Sequence, residues 1–432
     1  MRLARIALAS TIVLLRCASS SVVAQPAQTE SIPEPCRAGI IGDLAALQKR
    51  KAQLESEVRR QTVLKLDDGL RKVQEELLKV TFQIECLNIQ EKNQAVPRAA
   101  RAPAVDTAFE VTVYYATNRN RSGKVEPVSF YNSAVGGVAE YGRAVVTIPA
   151  SHTPGEIEQP TLWRLQRLDP NKHFVFKSLQ VLTRDEVRTE MAERLRNARS
   201  KSLLLFVHGY YTSFRDAAFR TAQIDHDLKF PGLPFFFSWP SAGQLLGYWH
   251  DGEAAQLSEP AFEQVLEELS QLPVTDIYIL AHSMGSRLVA QALRTRVDGN
   301  KDTSRIRELL LAAPDINAEL FRSVIAPKLI AMQSTRTTVY ASSSDLALRA
   351  AKVVYGFPRL GETADGIFVF SGLETIDASR ASLVSQAFGH SYVMDSPSLL
   401  RDVEAIINRK AAAKLRGLSE AGESPNKYWV LP

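Results

Sequence analysis

Residues 277–285 read IYILAHSMG: a continuous apolar run, then a serine with small residues two places on either side of it, Ala281 and Gly285. The run Ile277–Ala281 predicts a buried strand, and the residues from Met284 onward predict a helix. A serine set on a sharp strand-to-helix turn is a nucleophile elbow, G-x-S-x-G. Bulk two places before or after the serine would strike the neighbouring strand or helix, which is why small residues are required there. Ala281 stands where the pattern has glycine, and its single methyl still fits. The competing reading of Ser283 is an ordinary helix N-cap.

Outward from this turn, short apolar runs recur at Val111–Ala116, Arg143–Pro149, Leu203–Val207, Phe235–Ser238, Leu309–Ala312, Thr338–Ala341 and Ile367–Phe370. Helical spacing fills 213–229, 260–271, 284–296, 317–326 and 345–354 between them. Continuous apolar strands alternating with helices predict an α/β fold, a mostly parallel sheet with helices on both faces.

A serine hydroxyl is a poor nucleophile at neutral pH and needs a base. Of the seven histidines, only His390 follows Ser283, in Gly389-His390-Ser391; the chain order Ser, acid, His is the one found with this elbow. Asp345, reached from Thr338–Ala341 through three serines, is the expected acid. It would hold the imidazole tautomer and stabilise the imidazolium, and it would also suit the N-cap of the next helix. Asp315 is the rival and Asp377 a third choice. Two N–H donors are expected to receive the oxyanion: Met284, just after the serine, and Tyr210, in Val207-His208-Gly209-Tyr210-Tyr211. His208 is expected to be a structural hydrogen-bonder, and His282 to point into the fold. Phe236, Phe237, Trp239, Tyr248 and Trp249 read either as core or as the lining of an acyl or aromatic pocket.

No H-E-x-x-H, paired-cysteine or G-x-G-x-x-G pattern occurs, so no metal and no cofactor is expected. The chain has 432 residues, 45% hydrophobic and 23% charged, the composition of a globular protein. Of its net charge of +5, Arg2, Arg5 and Arg16 contribute three. Without a block of like charges, nucleic acid is not an expected partner.

Residues 1–24 read as a signal peptide: a basic start, the apolar core Ile6–Leu15, and Val22 and Ala24 before the cut. That predicts a periplasmic or secreted protein. Cys17 follows an apolar run, as a lipid-modified cysteine would, but Arg16 stands where a small residue is wanted. Residues 25–37 read as disordered and 95–108 as a linker. Between them, residues 38–94 carry a three-four apolar repeat, Leu70, Val73, Leu77, Val80, Ile84 and Leu87, predicting a helical hairpin or a coiled coil open to self-association or a protein partner. A hairpin turning near Thr62–Gly69 would bring Cys36 and Cys86 together as a disulfide pair, the alternative being two free thiols. The catalytic domain is expected over 109–410, with a tail at 411–432.

Several stretches together resemble a family of uncharacterised bacterial α/β-hydrolases of the esterase/lipase superfamily: Val113–Arg119 (VYYATNR), the run 206–232, Phe237–Ser241 (FSWPS), the elbow 281–285, Leu311–Asp315 (LAAPD) and Gly389–Tyr392 (GHSY). The resemblance spans roughly 109–405 and implies an α/β-hydrolase fold with serine hydrolase chemistry on Ser283 and His390. Members often have Asn where this chain has Tyr211. The expected substrate is a small-molecule or lipid ester or thioester; a binding protein on the same scaffold and a serine peptidase are the competing readings.

Overall fold

The computed structural model describes residues 43–64, much of 72–84, 108–160, 168–243, 247–343, 345–382 and 395–432. Residues 1–24, read above as a signal peptide, the cysteines Cys17, Cys36 and Cys86, residues 25–37, all but the last residue of 95–108, and His390 lie outside the described residues.

Eleven strands form one sheet: β1 (Phe109–Arg121), β2 (Tyr131–Ile148), β3 (Val175–Leu182), β4 (Ser202–Val207), β5 (Leu233–Ser238), β6 (Asp276–His282), β7 (Ile306–Ala312), β8 (Arg336–Ala341), β9 (Glu374–Asp377), β10 (Ser419–Ala421) and β11 (Tyr428–Val430). Their order across the sheet is β10-β11-β9-β8-β7-β6-β4-β5-β1-β2-β3. From β1 through β5, β4, β6, β7, β8 and β9 to β11 every pairing is parallel, and the hairpins β1–β2–β3 and β10–β11 flank this block.

The central strands are apolar throughout because both faces are covered. Leu203, Leu205 and Val207 of β4 enter one core with Val187 and Met191, Phe262 and Val265, and Leu288 and Val289. Leu204 and Phe206 enter the other core with Phe214, Ala218 and Phe219, and with Leu399 and Val403. Helices Arg184–Asn197, Glu259–Ser270 and Met284–Asp298 therefore lie on one face, and Phe214–Leu228 and Pro397–Ile407 on the other. Ser213 starts Phe214–Leu228 with a reciprocal cap to Asp216.

Three expectations are corrected. Ile367–Phe370 is not a strand: Phe368 is buried, its ring 5.7 Å from that of Phe321, but the segment has no ladder partner, and the last central strand is β9. The helix expected over 317–326 is broken into a short turn, a π-helical Phe321–Ile325 and Ala326–Ala331, whose Pro327 lacks the N–H that would continue the ladder. Residues 411–432, read as a tail, carry β10 and β11 and extend the sheet.

In the N-terminal region, helix Leu44–Leu64 and helical residues within 72–84 share a small apolar cluster of Leu54, Val58, Leu77, Val80 and Ile84. Arg50 Nη2 lies 2.6 Å from Glu76 Oε1 across the pair. The described part of the apolar repeat, Val73, Leu77, Val80 and Ile84, thus packs against helix Leu44–Leu64.

The strand order reverses at β4: the chain moves from β4 to β5 on one side, then returns to β6 on the other. At such a switch point the two following loops diverge and leave a crevice at the carboxyl edge of the sheet. The loop after β4 and the turn after β6 meet there.

Candidate active site

Ser283 sits on that turn with φ 53° and ψ −121° and is 2% exposed. A non-glycine residue in this region costs about 1–3 kcal/mol and persists only where its surroundings enforce it. Here the backbone is held from both sides: Ser283 N donates to Ala312 O at 2.9 Å, and Asp315 N and Ser286 N donate to Ser283 O at 3.2 and 3.0 Å. Although Ser283 occupies the N-cap position of Met284–Asp298, its hydroxyl makes no capping hydrogen bond. The N-cap reading therefore fails to explain a serine at this position.

The need for small neighbours is visible atom by atom. A Cβ on Gly285 would lie 2.3 Å from His208 O, and one on Gly209 would lie 2.7 Å from Ser283 Cβ. Gly209 is thus what lets the loop after β4 close on the serine. Ala281 is paired on both sides, with Val207 and Leu311, and its carbonyl accepts from Ser286 Oγ at 2.9 Å; its methyl is accommodated.

Met284 opens a helix, so its N–H belongs to the first turn, which has no intrahelical acceptor. Tyr210 lies between Gly209, packed on the serine, and Tyr211, which has φ 61°. This left-handed conformation is easier for Asn than for Tyr. Tyr211 N donates to Asp251 Oδ2 at 3.2 Å, fixing the loop in that shape.

Asp251, fully buried on helix Tyr248–Leu257, also accepts from Ser241 Oγ at 2.5 Å and Ala242 N at 2.6 Å. Arg119, at the end of β1, is 4% exposed and staples the same loops from below. It donates to Ser238 Oγ (2.8 Å), Ser241 O (2.9 Å) and Thr212 O (2.7 Å). Burial holds its pKa down at about 10, with the charges of Asp251 and Asp216 opposing that effect.

His208 has no free ring nitrogen. Gly209 O, 2.9 Å away, can only accept, so Nδ1 carries the proton and Nε2 receives the Ser238 hydroxyl at 3.1 Å. The ring stacks on Trp239, and burial, reinforced by the Arg119 charge, pushes its pKa down to about 3. His208 is a neutral structural group. His282 is buried, its Nδ1 facing Gly209.

The two candidate acids differ sharply. Asp345 is fully buried at the exit of β8, where it caps helix Leu346–Tyr355 by accepting Leu348 N at 2.9 Å. Its loop is tied to the segment after β9 by Ser343 N, which donates to Ser379 Oγ at 2.9 Å. Asp315 is enclosed by a phenol and two cations: Tyr248 Oη donates to it at 2.6 Å, and Arg287 Nη2 and Arg359 Nε lie 3.1 and 3.3 Å from its oxygens. Asp377 ends β9 and accepts from Ser379 N at 2.9 Å.

A family model described as an alpha/beta hydrolase of unknown function (DUF900) matches residues 183–409. The chain belongs to this family. It is 27% identical over 154 residues to an uncharacterized protein, alr1448, of Nostoc sp., a match covering 30% of this chain and 40% of that protein, so the chain spans about two fifths of that relative's length. Among solved structures, an esterase of Pyrobaculum calidifontis gives a TM-score of 0.28 at 9% identity, covering 53% of this chain and 94% of that one. A 2,6-dihydroxy-pseudo-oxynicotine hydrolase gives 0.25 at 10% identity, covering 81% and 86%.

The DUF900 span contains Ser283, Asp345, His390 and Asp251, while Arg119 lies ahead of it. Of the aromatic cluster, Phe236, Phe237 and Trp239 are fully buried core and Tyr248 is 5% exposed. Trp249 is partly exposed, edge-on to Tyr355 at 5.0 Å. No group of three or more His, Cys, Asp or Glu among the described residues is arranged to hold a metal ion. No described helix is long and apolar enough to cross a membrane.

Proposed function

We propose that the protein is a serine hydrolase that cleaves a carboxylic ester or thioester through an acyl-enzyme. The observation that carries this reading is the strained backbone of Ser283 at a helix N-terminus on the switch-point edge, with its hydroxyl unused as a cap. Strain of this kind is retained where it positions a reacting atom.

In this reading His390 removes the Ser283 proton as Oγ attacks the carbonyl carbon, and Asp345 orients and stabilises the imidazolium. The N–H groups of Met284 and Tyr210 receive the oxyanion. His390 then gives its proton to the leaving alcohol or thiol, and water, activated by the same imidazole, releases the acid and restores Ser283. The ion pairs of Asp315 with Arg287 and Arg359 favour Asp345 as the acid, because a carboxylate neutralised by two guanidinium groups is poorly placed to stabilise an imidazolium. The partner is a small-molecule or lipid ester, and residues 1–24, read as a signal peptide, put the reaction outside the cytoplasm.

A fluorophosphonate probe tests the proposal. Stoichiometric labelling mapped to Ser283, lost in Ser283→Ala together with turnover of short-chain p-nitrophenyl esters, is the expected result. An unlabelled wild-type protein with no ester turnover would sink it.

A further inference from the structure

One buried ionisable cluster takes no part in this chemistry. His152 lies in the turn after β2, its side chain 3% exposed, between two carboxylates: Nδ1 is 2.9 Å from Glu158 Oε2 and Nε2 is 2.9 Å from Asp227 Oδ1. Acceptors on both ring nitrogens require both to carry protons, so the ring is an imidazolium. The same carboxylates hold the turn's backbone. Thr153 N donates to Glu158 Oε1 at 2.9 Å and Gly155 N to Asp227 Oδ2 at 2.8 Å, while Gln223 Nε2 also donates to Asp227. The turn is thereby bolted to helix Phe214–Leu228.

The other side of this bolt meets Asp395. Gly155, with φ +92°, is pressed so close that a Cβ would lie 2.5 Å from Asp395 O. Arg220, from the same helix, donates to Gly155 O at 3.3 Å and reaches Asp395 Oδ1 at 2.7 Å. Asp395 follows His390 by five residues in the chain.

We infer that His152, Glu158, Asp227 and Arg220 form a positioning clamp on Asp395 that fixes the downstream root of the segment bearing the base. The clamp sets the turnover rate of the serine reaction without touching substrate. The inference rests on the reading of His390 as that base.

The clamp titrates. The groups facing His152 are Glu158 from its own turn, Asp227 and His226 from the helix, with the His226 ring 5.5 Å away, and the Phe174 ring at 5.4 Å; Lys229, just beyond that helix, acts on His226. Burial pulls the His152 imidazole down, but Asp227 and Glu158 more than offset it and raise it to about 9. Because the folded value lies above the ordinary one, the ion pairs are complete below about pH 6.5 and are lost as pH rises through about 9.

The test uses the full-length protein, with active sites counted by fluorophosphonate titration and p-nitrophenyl ester kinetics run from pH 6 to 10. Arg220→Gln and Asp395→Asn are each expected to lower kcat per active site about tenfold, since small misplacements of catalytic groups are costly. KM should stay within about twofold, and the fall in kcat expected near pH 9 in the wild type should disappear. Arg220→Lys, which keeps the charge, should recover most of the rate. If Arg220→Gln does not fold, Asp395→Asn alone decides. Unchanged kcat per active site and an intact alkaline limb, even with lowered thermal stability, would make the cluster merely structural and overturn the inference. A wild-type protein that does not label at Ser283 would overturn the reading beneath it as well.

Discussion

Asp251 Oδ2 accepts the backbone N–H of Tyr211 at 3.2 Å, one residue beyond the N–H proposed to receive the oxyanion. The carboxylate that shapes this loop therefore comes from a helix forty residues downstream. Asp251→Asn keeps the shape of the side chain but leaves only one acceptor oxygen for Tyr211 N, Ala242 N and Ser241 Oγ. We expect kcat to fall about 10²-fold, the cost of weakening one oxyanion donor, with KM little changed. Stopped-flow ester hydrolysis normalised to labelled sites checks this, and a wild-type rate would show that the loop holds its shape without the carboxylate.

Asp345 and Asp315 are separable by substitution. Asp345→Asn should lower kcat by about 10³–10⁴ while the protein stays folded, as expected for the acid of a triad. Asp315→Asn should instead cost about 3–5 kcal/mol of stability, because Arg287 and Arg359 lose the carboxylate they share. Urea unfolding and kinetics on both variants give the two answers, and exchanged phenotypes would reverse the assignment.

Gly209→Ala places a methyl 2.7 Å from Ser283 Cβ. The loop must retreat or the serine must leave its strained conformation, so labelling by the probe should become at least about 10²-fold slower. Ala281→Gly, in contrast, should leave turnover nearly intact and destabilise the strand by only about 0.5–1 kcal/mol. Measuring both labelling rates in parallel is the check; equal effects would mean the close approach of the loop is unimportant.

Asp225 lies near the end of helix Phe214–Leu228, and burial pushes its carboxyl up to about 7. A carboxyl whose folded value is raised disfavours the native state once it must ionise, a penalty that accumulates as pH rises from about 4 to about 7. Asp225→Asn should raise Tm at pH 8 and hardly change it at pH 4. A melting series against pH would refute this if the gain were the same at both ends.

The elbow was readable because its requirements are local: an apolar strand, small flanking residues and a helix within nine consecutive positions. The central parallel strands were readable for the same reason. Ile367–Phe370 misled because four apolar residues look alike whether they join a ladder or pack under Phe321 as irregular chain. β10 and β11 were missed because three-residue strands carry no periodicity, and the pairing of β11 to β9 is long-range. Asp251 was invisible for another reason. In the run Tyr248-Trp249-His250-Asp251 an acid looks like any helix-surface acid, and only the folded chain brings the amides of Tyr211 and Ala242 to it. Arg119 drew notice only through the motif around it, since its carbonyl acceptors lie on loops 93 and 122 residues away.

The pairing of β11 with β9 sets an order on biosynthesis. Trp429 and Val430 supply the partners of Ile376 and Asp377, and Leu431 N donates to Asp377 O at 3.0 Å. While the chain emerges N-terminus first, β9 is left as a bare edge until residues 428–431 have followed, a period in which such an edge can recruit the wrong strand.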